Sequence, residues 1–253
     1  MDILNKKFLI TGSSSGIGAA TARYAAGKGA SVILIARSEE KLEKLSREIR
    51  ESGGSASFYA ADLSDFNSVR NVADRIQREQ GTPDIIMNNA GIGQWKYAQD
   101  TTPEEALSMI SAPYLSAFAI THAFLPKLIE KKSGVIVNMT SAAAYMVWPG
   151  ATSYIAARWA MRGFNDALRS ELTPHGVNVM LVAFAKVTSD YWKHNPGSEA
   201  NVPKRQSMIP ELSPEAAAKH IVTGVEQDKQ QVIEPRQLRF ILGLSKLFPG
   251  MVK

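Results

Sequence analysis

Residues 7–18 read KFLITGSSSGIG, an apolar run that passes directly into a glycine- and serine-rich turn. The run Lys7–Thr11 predicts a buried strand, and the small residues from about Ile17 predict a helix. Glycine permits a tight turn between the two, and the unpaired N–H groups at the start of a helix attract an anion. The segment therefore predicts a cradle for the pyrophosphate of a dinucleotide. The alternative is a strand–helix loop that binds nothing.

Outward from this turn, short apolar runs alternate with helical patterns along the whole chain. Strands rich in valine, isoleucine and leucine, without polar alternation, are typical of a parallel sheet covered on both faces. The pattern predicts an α/β fold with a Rossmann-type doubly wound parallel sheet of about seven strands. The further strands are expected at residues 31–36, 57–60, 84–88, 134–140, 177–183 and 232–234. The further helices are expected at residues 39–51, from 65, and at 103–132, 152–172 and 214–227.

No composition break divides the chain, so a single domain over residues 1–253 is expected. Within it, residues 1–186 would form the cofactor-binding and catalytic core, and residues 187–212 a substrate loop. Residues 213–253 would add a C-terminal helix, a strand and an apolar tail.

The composition excludes several classes of function. The net charge is +5, but the basic residues are scattered and do not form a nucleic-acid-binding stripe. The sequence contains no cysteine, which excludes disulfides and thiolate metal sites, and no metal site is expected. The start of the chain does not resemble a secretory signal, and no run of 18 apolar residues occurs. We therefore expect a cytoplasmic protein without a transmembrane span.

Several motifs occur in a characteristic order. They are the spacing Gly12-x-x-x-Gly16-x-Gly18, the pair Asp62-Leu63, the run Asn88-Asn89-Ala90-Gly91, and Ser141 thirteen residues before Tyr154. From about residue 5 to residue 234 the chain resembles the short-chain dehydrogenase/reductase family. The resemblance implies a set of cofactor-binding residues: Gly12, Ser14, Ser15, Gly16, Ile17, Gly18, Arg37, Asp62, Leu63, Asn89, Ala90, Gly91, Tyr154, Arg158 and Thr188.

The residue after the second strand indicates which nicotinamide cofactor is bound. An acidic side chain there would bind the ribose hydroxyls of NAD and repel a 2′-phosphate, but the chain has Ala36-Arg37-Ser38. A guanidinium can hold a phosphate through bidentate hydrogen bonds. Hydroxyls of Ser13, Ser14 and Ser15 can add donors. We expect NADP(H) in preference to NAD(H); the alternative is that Arg37 is only a solvated surface cation.

The family resemblance assigns the catalytic roles. Tyr154 would be the acid/base and Ser141 would orient the substrate oxygen, while the lysine expected four residues after the tyrosine is Arg158. Side chains at i and i+4 share a helix face, so a cation is still delivered beside the phenol. Arginine is effectively never deprotonated, so it can stabilise a tyrosinate but cannot relay a proton.

Two more positions depart from the family pattern. Pro113 occupies the place of an asparagine that supports a water-linked proton path, and a proline inside a helix removes a donor and kinks the helix. A water could still bind a carbonyl left unpaired at the kink. Phe184-Ala185 replaces the usual Pro-Gly pair in the loop that embraces the nicotinamide, where Thr188 is the expected contact.

The substrate lobe is expected from residues 93–102, 142–149 and 188–212. Its aromatic, mostly uncharged side chains would suit a lipophilic ketone or secondary alcohol, although each could instead fill the core or a subunit contact: Trp95, Tyr97, Tyr145, Met146, Trp148, Tyr191 and Trp192. Residues 238–252 predict an amphipathic helix that closes the pocket or packs on another subunit, with peripheral membrane contact as the alternative. The resemblance implies a homodimer or homotetramer built from the long helices flanking the fifth strand.

Two functions remain open at this point. One is an NADP(H)-dependent oxidoreductase that transfers hydride between the nicotinamide and a carbonyl or secondary alcohol. The other is a catalytically impaired, NADP(H)-binding homologue that acts as a sensor or regulatory subunit.

Overall fold

A computed structural model of the chain describes residues 1–188, 191, 195–202 and 209–247. Within these residues, seven strands form one parallel sheet in the order β3-β2-β1-β4-β5-β6-β7. This confirms the doubly wound α/β fold. The strands are β1 Lys7–Thr11, β2 Ser31–Ala36, β3 Ser55–Ala60, β4 Ile85–Asn88, β5 Gly134–Ser141, β6 Val177–Phe184 and β7 Gln231–Glu234.

Helices cover both faces of this sheet. They are α1 Gly16–Gly27, α2 Glu39–Glu51, α3 Phe66–Glu79, α4 Pro103–Ile110, α5 Ser116–Lys131, α6 Thr152–Leu172, α7 Pro214–Glu226 and α8 Arg236–Leu247. Helices α1, α2 and α7 pack on one face, and α3, α5 and α6 on the other. Successive strand residues divide between the two cores: Phe8 and Ile10 lie in the first, and Leu9 between them lies in the second.

Strand β3 begins two residues before its predicted start. Ser55 and Ala56 pair with Ser31 and Val32 of β2 at the edge of the sheet. The hydropathy pattern missed them because Ser55 is exposed and an edge strand needs no continuous apolar run.

The long helix predicted over residues 103–132 is present but is divided by one π-turn, Ser111–Leu115, around Pro113. The N–H of Ser116 donates to the carbonyl of Ser111, five residues back, and its hydroxyl donates to the carbonyl of Ala112. The donor that proline lacks is therefore replaced by a local change of hydrogen-bond spacing, and the helix continues.

The run Pro103–Lys131 is the one helix of the described residues long and apolar enough, by length and composition, to cross a membrane. In the fold, Ile120, Phe124 and Leu128 on this run are completely buried in the core between α5 and the sheet. Part of its apolar surface is thus used by the domain, while Leu107 and Phe118 stay exposed, and the run gives no clear transmembrane segment.

The C-terminal helix α8 packs on the domain over the described part of residues 238–252. Leu238 and Leu242 are buried and contact Ala142, Tyr145 and Met146, which follow β5. The start of α8 is therefore part of the domain itself, and the predicted roles as a pocket lid or a subunit contact stay predictions. Residues 248–252 lie outside the described residues.

The turn after β1 is fastened to the loop after β4. The hydroxyl oxygen of Thr11 accepts the N–H groups of Asn89 (2.9 Å) and Ala90 (3.0 Å), and its proton goes to the carbonyl of Met87. The Asn89 amide donates to the carbonyls of Thr11 and Gly12. A Cβ at Gly18 would lie only 2.4 Å from the Gly12 carbonyl oxygen, so the close approach of α1 requires glycine.

At the opposite end of the sheet, Asp84 joins β1, β4 and α5. Its carboxylate accepts the N–H of Lys7 (2.9 Å) and the ammonium of Lys131. Burial favours the neutral form of this carboxyl, but these two donors outweigh burial and hold the pKa of Asp84 below its usual range.

We expect Asp84→Asn to lower the free energy of unfolding by about 1–3 kcal/mol at pH 7, because two charge-assisted hydrogen bonds are weakened. The folded-state pKa lies below the unfolded value, so this contribution is present above about pH 4 and is lost as the pH falls through the folded pKa. Urea unfolding at several pH values measures the difference. The exposed Asp74→Asn on α3 is the control; an Asp84→Asn deficit that is equally large at pH 2.5 would contradict the assignment.

Thr11→Val should lower the free energy of unfolding by about 2–3 kcal/mol, since the N–H groups of Asn89 and Ala90 lose their acceptor while the side-chain shape is kept. Urea unfolding tests this against Thr173→Val, whose exposed hydroxyl donates only to the carbonyl of Arg169. Equal stability of the two variants would show that the Thr11 clamp contributes little.

Candidate active site

The turn between β1 and α1 has the backbone geometry of an anion cradle. Gly12 and Gly16 adopt left-handed φ values of 65° and 54°. Ser15 precedes the first residue of α1 without capping it by its side chain, so no side chain competes for the N–H groups of the first helical turn. Ser14 and Ile17 are half-buried and Ser15 is exposed, all at the turn.

Ser13 behaves differently from the two serines that follow it. It is completely buried, and both its N–H and its hydroxyl donate to the carbonyl of Ile35 on β2 (3.3 Å each). Its hydroxyl therefore fixes the turn to the neighbouring strand, and of the three serines only Ser14 and Ser15 lie at the surface of the turn.

Arg37, Asp62 and Leu63 follow β2 and β3, one strand further along the sheet edge. Arg37 is exposed directly after β2, and Leu63 is buried. The N–H and hydroxyl of Ser64 donate to the Asp62 carboxylate and, with the nearby charge of Arg37, hold the pKa of this carboxyl below its usual range. An ionised acid and an arginine thus flank the position where the sequence predicts the adenosine half of a cofactor.

Ser141 and Tyr154 both reach the carboxyl edge of the sheet. Ser141 is the last residue of β5, where it pairs with Phe184 of β6, and its hydroxyl oxygen accepts the N–H of Ala143 (3.3 Å). Tyr154 lies in the first turn of α6 and is only 6% exposed. The Thr140 hydroxyl donates to the carbonyl of Arg158 (3.1 Å), which fixes α6 against β5.

The guanidinium of Arg158 lies over the ring of Tyr154, with 4.7 Å between its central carbon and the ring centroid. Arg158 is 8% exposed, and its Nη2 donates to the carbonyl of Ile92 (3.2 Å). Its buried Nε has no hydrogen-bond partner among the described residues. A Cβ on Gly91 would lie 3.4 Å from Nη2 and 3.7 Å from the ring of Pro113, so the three residues are close neighbours.

An aromatic cluster surrounds the phenol of Tyr154. The ring of Trp95 lies 5.2 Å from the rings of both Tyr154 and Trp148, and Tyr191 packs against the same group. Of the other side chains predicted for the substrate lobe, Tyr97 is largely exposed, and Tyr145 and Met146 pack beside α8. Trp192 lies outside the described residues.

Three polar side chains, unnoticed in the sequence, hold the loop after β4 in place. Asn195 accepts the N–H of Gly93 (3.0 Å), Ser198 accepts the N–H of Trp95 (2.9 Å), and Asn201 donates to the carbonyl of Trp95 (2.8 Å). Their signal in the sequence is weak, because a run such as NPGSEAN indicates only a polar loop.

Thr188 uses its polar groups within its own loop. Its N–H donates to the carbonyl of Leu212 (2.8 Å) and its hydroxyl to the carboxylate of Glu211 (3.1 Å). Its role as a nicotinamide contact stays a prediction. Over the described residues, no group of three His, Asp or Glu side chains is placed to hold a metal ion.

Comparisons with known proteins agree with this geometry. The probable oxidoreductase EphD of Mycobacterium tuberculosis is 30% identical over 96% of this chain, which spans only 43% of EphD. The fatty acyl-CoA reductase of Acinetobacter baylyi is 28% identical over 91% of this chain and 76% of its own length. The crystal structure of a metagenomic short-chain oxidoreductase in complex with NADP matches 92% of this chain and 97% of its own, at 30% identity and a TM-score of 0.78. The sequence model of short chain dehydrogenases matches residues 6–199, and the chain therefore belongs to the short-chain dehydrogenase/reductase family of oxidoreductases.

Proposed function

We propose that this oxidoreductase uses NADP(H) and transfers hydride between the nicotinamide and a lipophilic carbonyl compound or secondary alcohol. The observation that carries the proposal is the buried phenol of Tyr154 beneath the guanidinium of Arg158, at the sheet edge reached by the glycine turn. A phenol and a cation in this arrangement can exchange a proton with a substrate oxygen.

The residues present fit a dinucleotide. The left-handed glycines and the uncapped start of α1 match a pyrophosphate, which Gly12, Gly16, Ile17 and Gly18 would hold with Ser14 and Ser15. Asp62 and Leu63 would flank the adenine, and Asn89, Ala90 and Gly91 would lie along the nicotinamide half. The buried Nε of Arg158, without a partner among the described residues, is a donor suited to a ribose hydroxyl.

Arg37 supports NADP(H) over NAD(H). It is exposed at the end of β2, where a carboxylate would exclude the 2′-phosphate. The metagenomic structure, which carries NADP, is consistent with this preference.

The bound nicotinamide supplies or accepts the hydride. During reduction Tyr154 gives its hydroxyl proton to the carbonyl oxygen, leaving a phenolate, and during oxidation the phenolate takes the proton of the alcohol. Ser141 orients the substrate oxygen. The Arg158 guanidinium, 4.7 Å from the centroid of the Tyr154 ring, would stabilise this phenolate; two unit charges about 5 Å apart attract each other by roughly 3 kcal/mol at an effective dielectric constant of 20. Because arginine keeps its proton, Arg158 acts as a fixed charge.

The wall beside Tyr154 favours a lipophilic substrate. Trp95, Trp148 and Tyr191 present rings around the phenol, and apolar rings with few charges bind apolar groups. The name of the Acinetobacter relative, a fatty acyl-CoA reductase, is consistent with such a substrate.

Assembly and location form part of the same proposal. Phe118 on α5, whose ring lies 5.8 Å from that of Phe164 on α6, and Trp159 on α6 are each about half exposed. We place a dimer or tetramer contact there, because large exposed apolar side chains on neighbouring helices favour association. A sequence without cysteine fits a reducing compartment, and we place the protein in the cytoplasm.

We expect Tyr154→Phe to abolish NADPH oxidation over a panel of aldehydes and ketones while NADPH binding is retained, since the ring is kept and only the hydroxyl group is lost. Arg158→Ala should lower kcat about 100-fold through the lost charge stabilisation. Absorbance at 340 nm measures turnover, and fluorescence titration measures binding. NADPH binding without turnover of any substrate would instead favour the sensor or regulatory homologue.

We expect Arg37→Ala to raise the KM for NADPH about 10- to 100-fold and to leave the KM for NADH nearly unchanged, because only the 2′-phosphate loses its charge-assisted hydrogen bonds. Initial rates with both cofactors give the two values. Arg47→Ala, on the exposed side of α2, is the matched control. Parallel changes for both cofactors would contradict the assigned role of Arg37.

A further inference from the structure

Tyr191, in the segment after β6, inserts its phenol into the loop after β4. Its hydroxyl donates to the carbonyl of Gly93 (3.1 Å) and accepts the indole N–H of Trp95 (3.1 Å). The amide of Asn195 holds its backbone carbonyl (2.7 Å) and also accepts the N–H of Gly93. Tyr191 is therefore held at its hydroxyl by Gly93 and Trp95 and at its backbone carbonyl by Asn195.

The space for this phenol exists because residue 93 is glycine. A Cβ there would lie 1.5 Å from the hydroxyl oxygen of Tyr191. The clashing atoms belong to the far end of the Tyr191 side chain, so Tyr191 itself must move to relieve the overlap. Any larger residue at position 93 must expel the phenol.

Tyr191 packs in the same aromatic cluster as Tyr154: its hydroxyl accepts the indole N–H of Trp95, and the Trp95 ring lies 5.2 Å from the Tyr154 ring. Burial raises the pKa of the Tyr191 phenol well above its usual range, and the charge of an ionised Tyr154 and a hydrogen bond with it act in the same direction, whereas Arg158 acts against them. Among the described residues, the titratable groups whose charges act on Tyr191 include Tyr154 and Arg158. At neutral pH Tyr191 keeps a proton that it can offer in a hydrogen bond.

The cation beside Tyr154 leaves a task for a second donor. The Arg158 guanidinium lies over the face of the Tyr154 ring. Its Nη2 donates to the carbonyl of Ile92. It supplies a field, whereas a phenolate oxygen in a buried site also requires a direct hydrogen bond.

We propose that Tyr191 is a positioning residue whose hydroxyl hydrogen-bonds the phenolic oxygen of Tyr154 and stabilises the phenolate left after each reduction. When Tyr154 gives its proton to the substrate oxygen, the Tyr191 O–H turns from the Gly93 carbonyl towards the new phenolate. No covalent bond of Tyr191 breaks, and water returns the proton to Tyr154 before the next turnover. The inference rests on the proposed acid/base role of Tyr154.

Tyr191→Phe tests the proposal, with Tyr24→Phe on α1 as the control. We expect kcat to fall about tenfold or more, and the pH midpoint of kcat for alcohol oxidation to rise by about one unit, because the phenolate loses a charge-assisted donor. NADPH affinity should not change. An unshifted midpoint would overturn the proposal, even if kcat falls, since packing alone would then explain the loss.

A spectroscopic measurement gives an answer independently of turnover. The tyrosinate absorbance near 295 nm is titrated with NADP⁺ bound, and the Tyr154 step is isolated by subtracting the Tyr154→Phe variant. The same subtraction in the Tyr191→Phe background should place this step about one pH unit higher. If the wild-type protein oxidises no substrate, the proposed reductase function fails; if the two steps coincide, the role of Tyr191 fails.

Gly93→Ala is a second route to the same state, because it expels the phenol but keeps the hydroxyl group. We expect its Tyr154 step to move in the same direction as in Tyr191→Phe, and the double variant to show no further shift. The proposal would be overturned if the Tyr154 titration step of Gly93→Ala lay at the same pH as in the wild-type protein. This holds also where the variant loses thermal stability and NADPH affinity.

Discussion

The contact between the end of β1 and the loop after β4 is the constraint on which the site depends. One hydroxyl, on Thr11, accepts two backbone N–H groups, and one amide, on Asn89, closes the gap from the other side. Gly18 lets the first helix approach this junction without a side chain in between. The glycine turn and the loop that carries Gly91 are therefore held as one rigid unit, at the point where the strand order of the sheet reverses.

Arg158 and Pro113, the positions where the family resemblance implies lysine and asparagine, lie against the same loop. The arginine reaches past the tyrosine ring to the carbonyl of Ile92, and the proline ring lies beside the same loop, next to Gly91. A planar cation that bonds the loop directly is held in place without an amide from the helix that carries Pro113. In the proposed mechanism this gives a site with a permanent positive charge, to which the returning proton would come from another donor or from solvent.

The aromatic side of the site is built in a different way. Its rings pack together, but the backbone around Gly93 and Trp95 is held by side chains from residues 191–201 rather than by sheet pairing. Loops held by a few such bonds open at lower free energy than strands do. A rigid sheet edge thus carries Ser141 and Tyr154, while the side on which we propose that the substrate binds combines apolar packing with replaceable hydrogen bonds.

The sequence alone determined the α/β class, six of the seven strands to within one residue, and the family, because buried parallel strands and the motifs from Gly12 to Tyr154 are local patterns. It also placed Tyr154 and Arg158 on one helix face, since that follows from the helical repeat. The tertiary structure decided that Ser13 turns inward, that Pro113 is absorbed by a π-turn, and that Asn195, Ser198 and Tyr191 meet the loop around Gly93. The π-turn is a local change of backbone hydrogen bonding, whereas the other contacts join residues far apart in the chain through single side-chain bonds; no periodicity or spacing in the sequence records them.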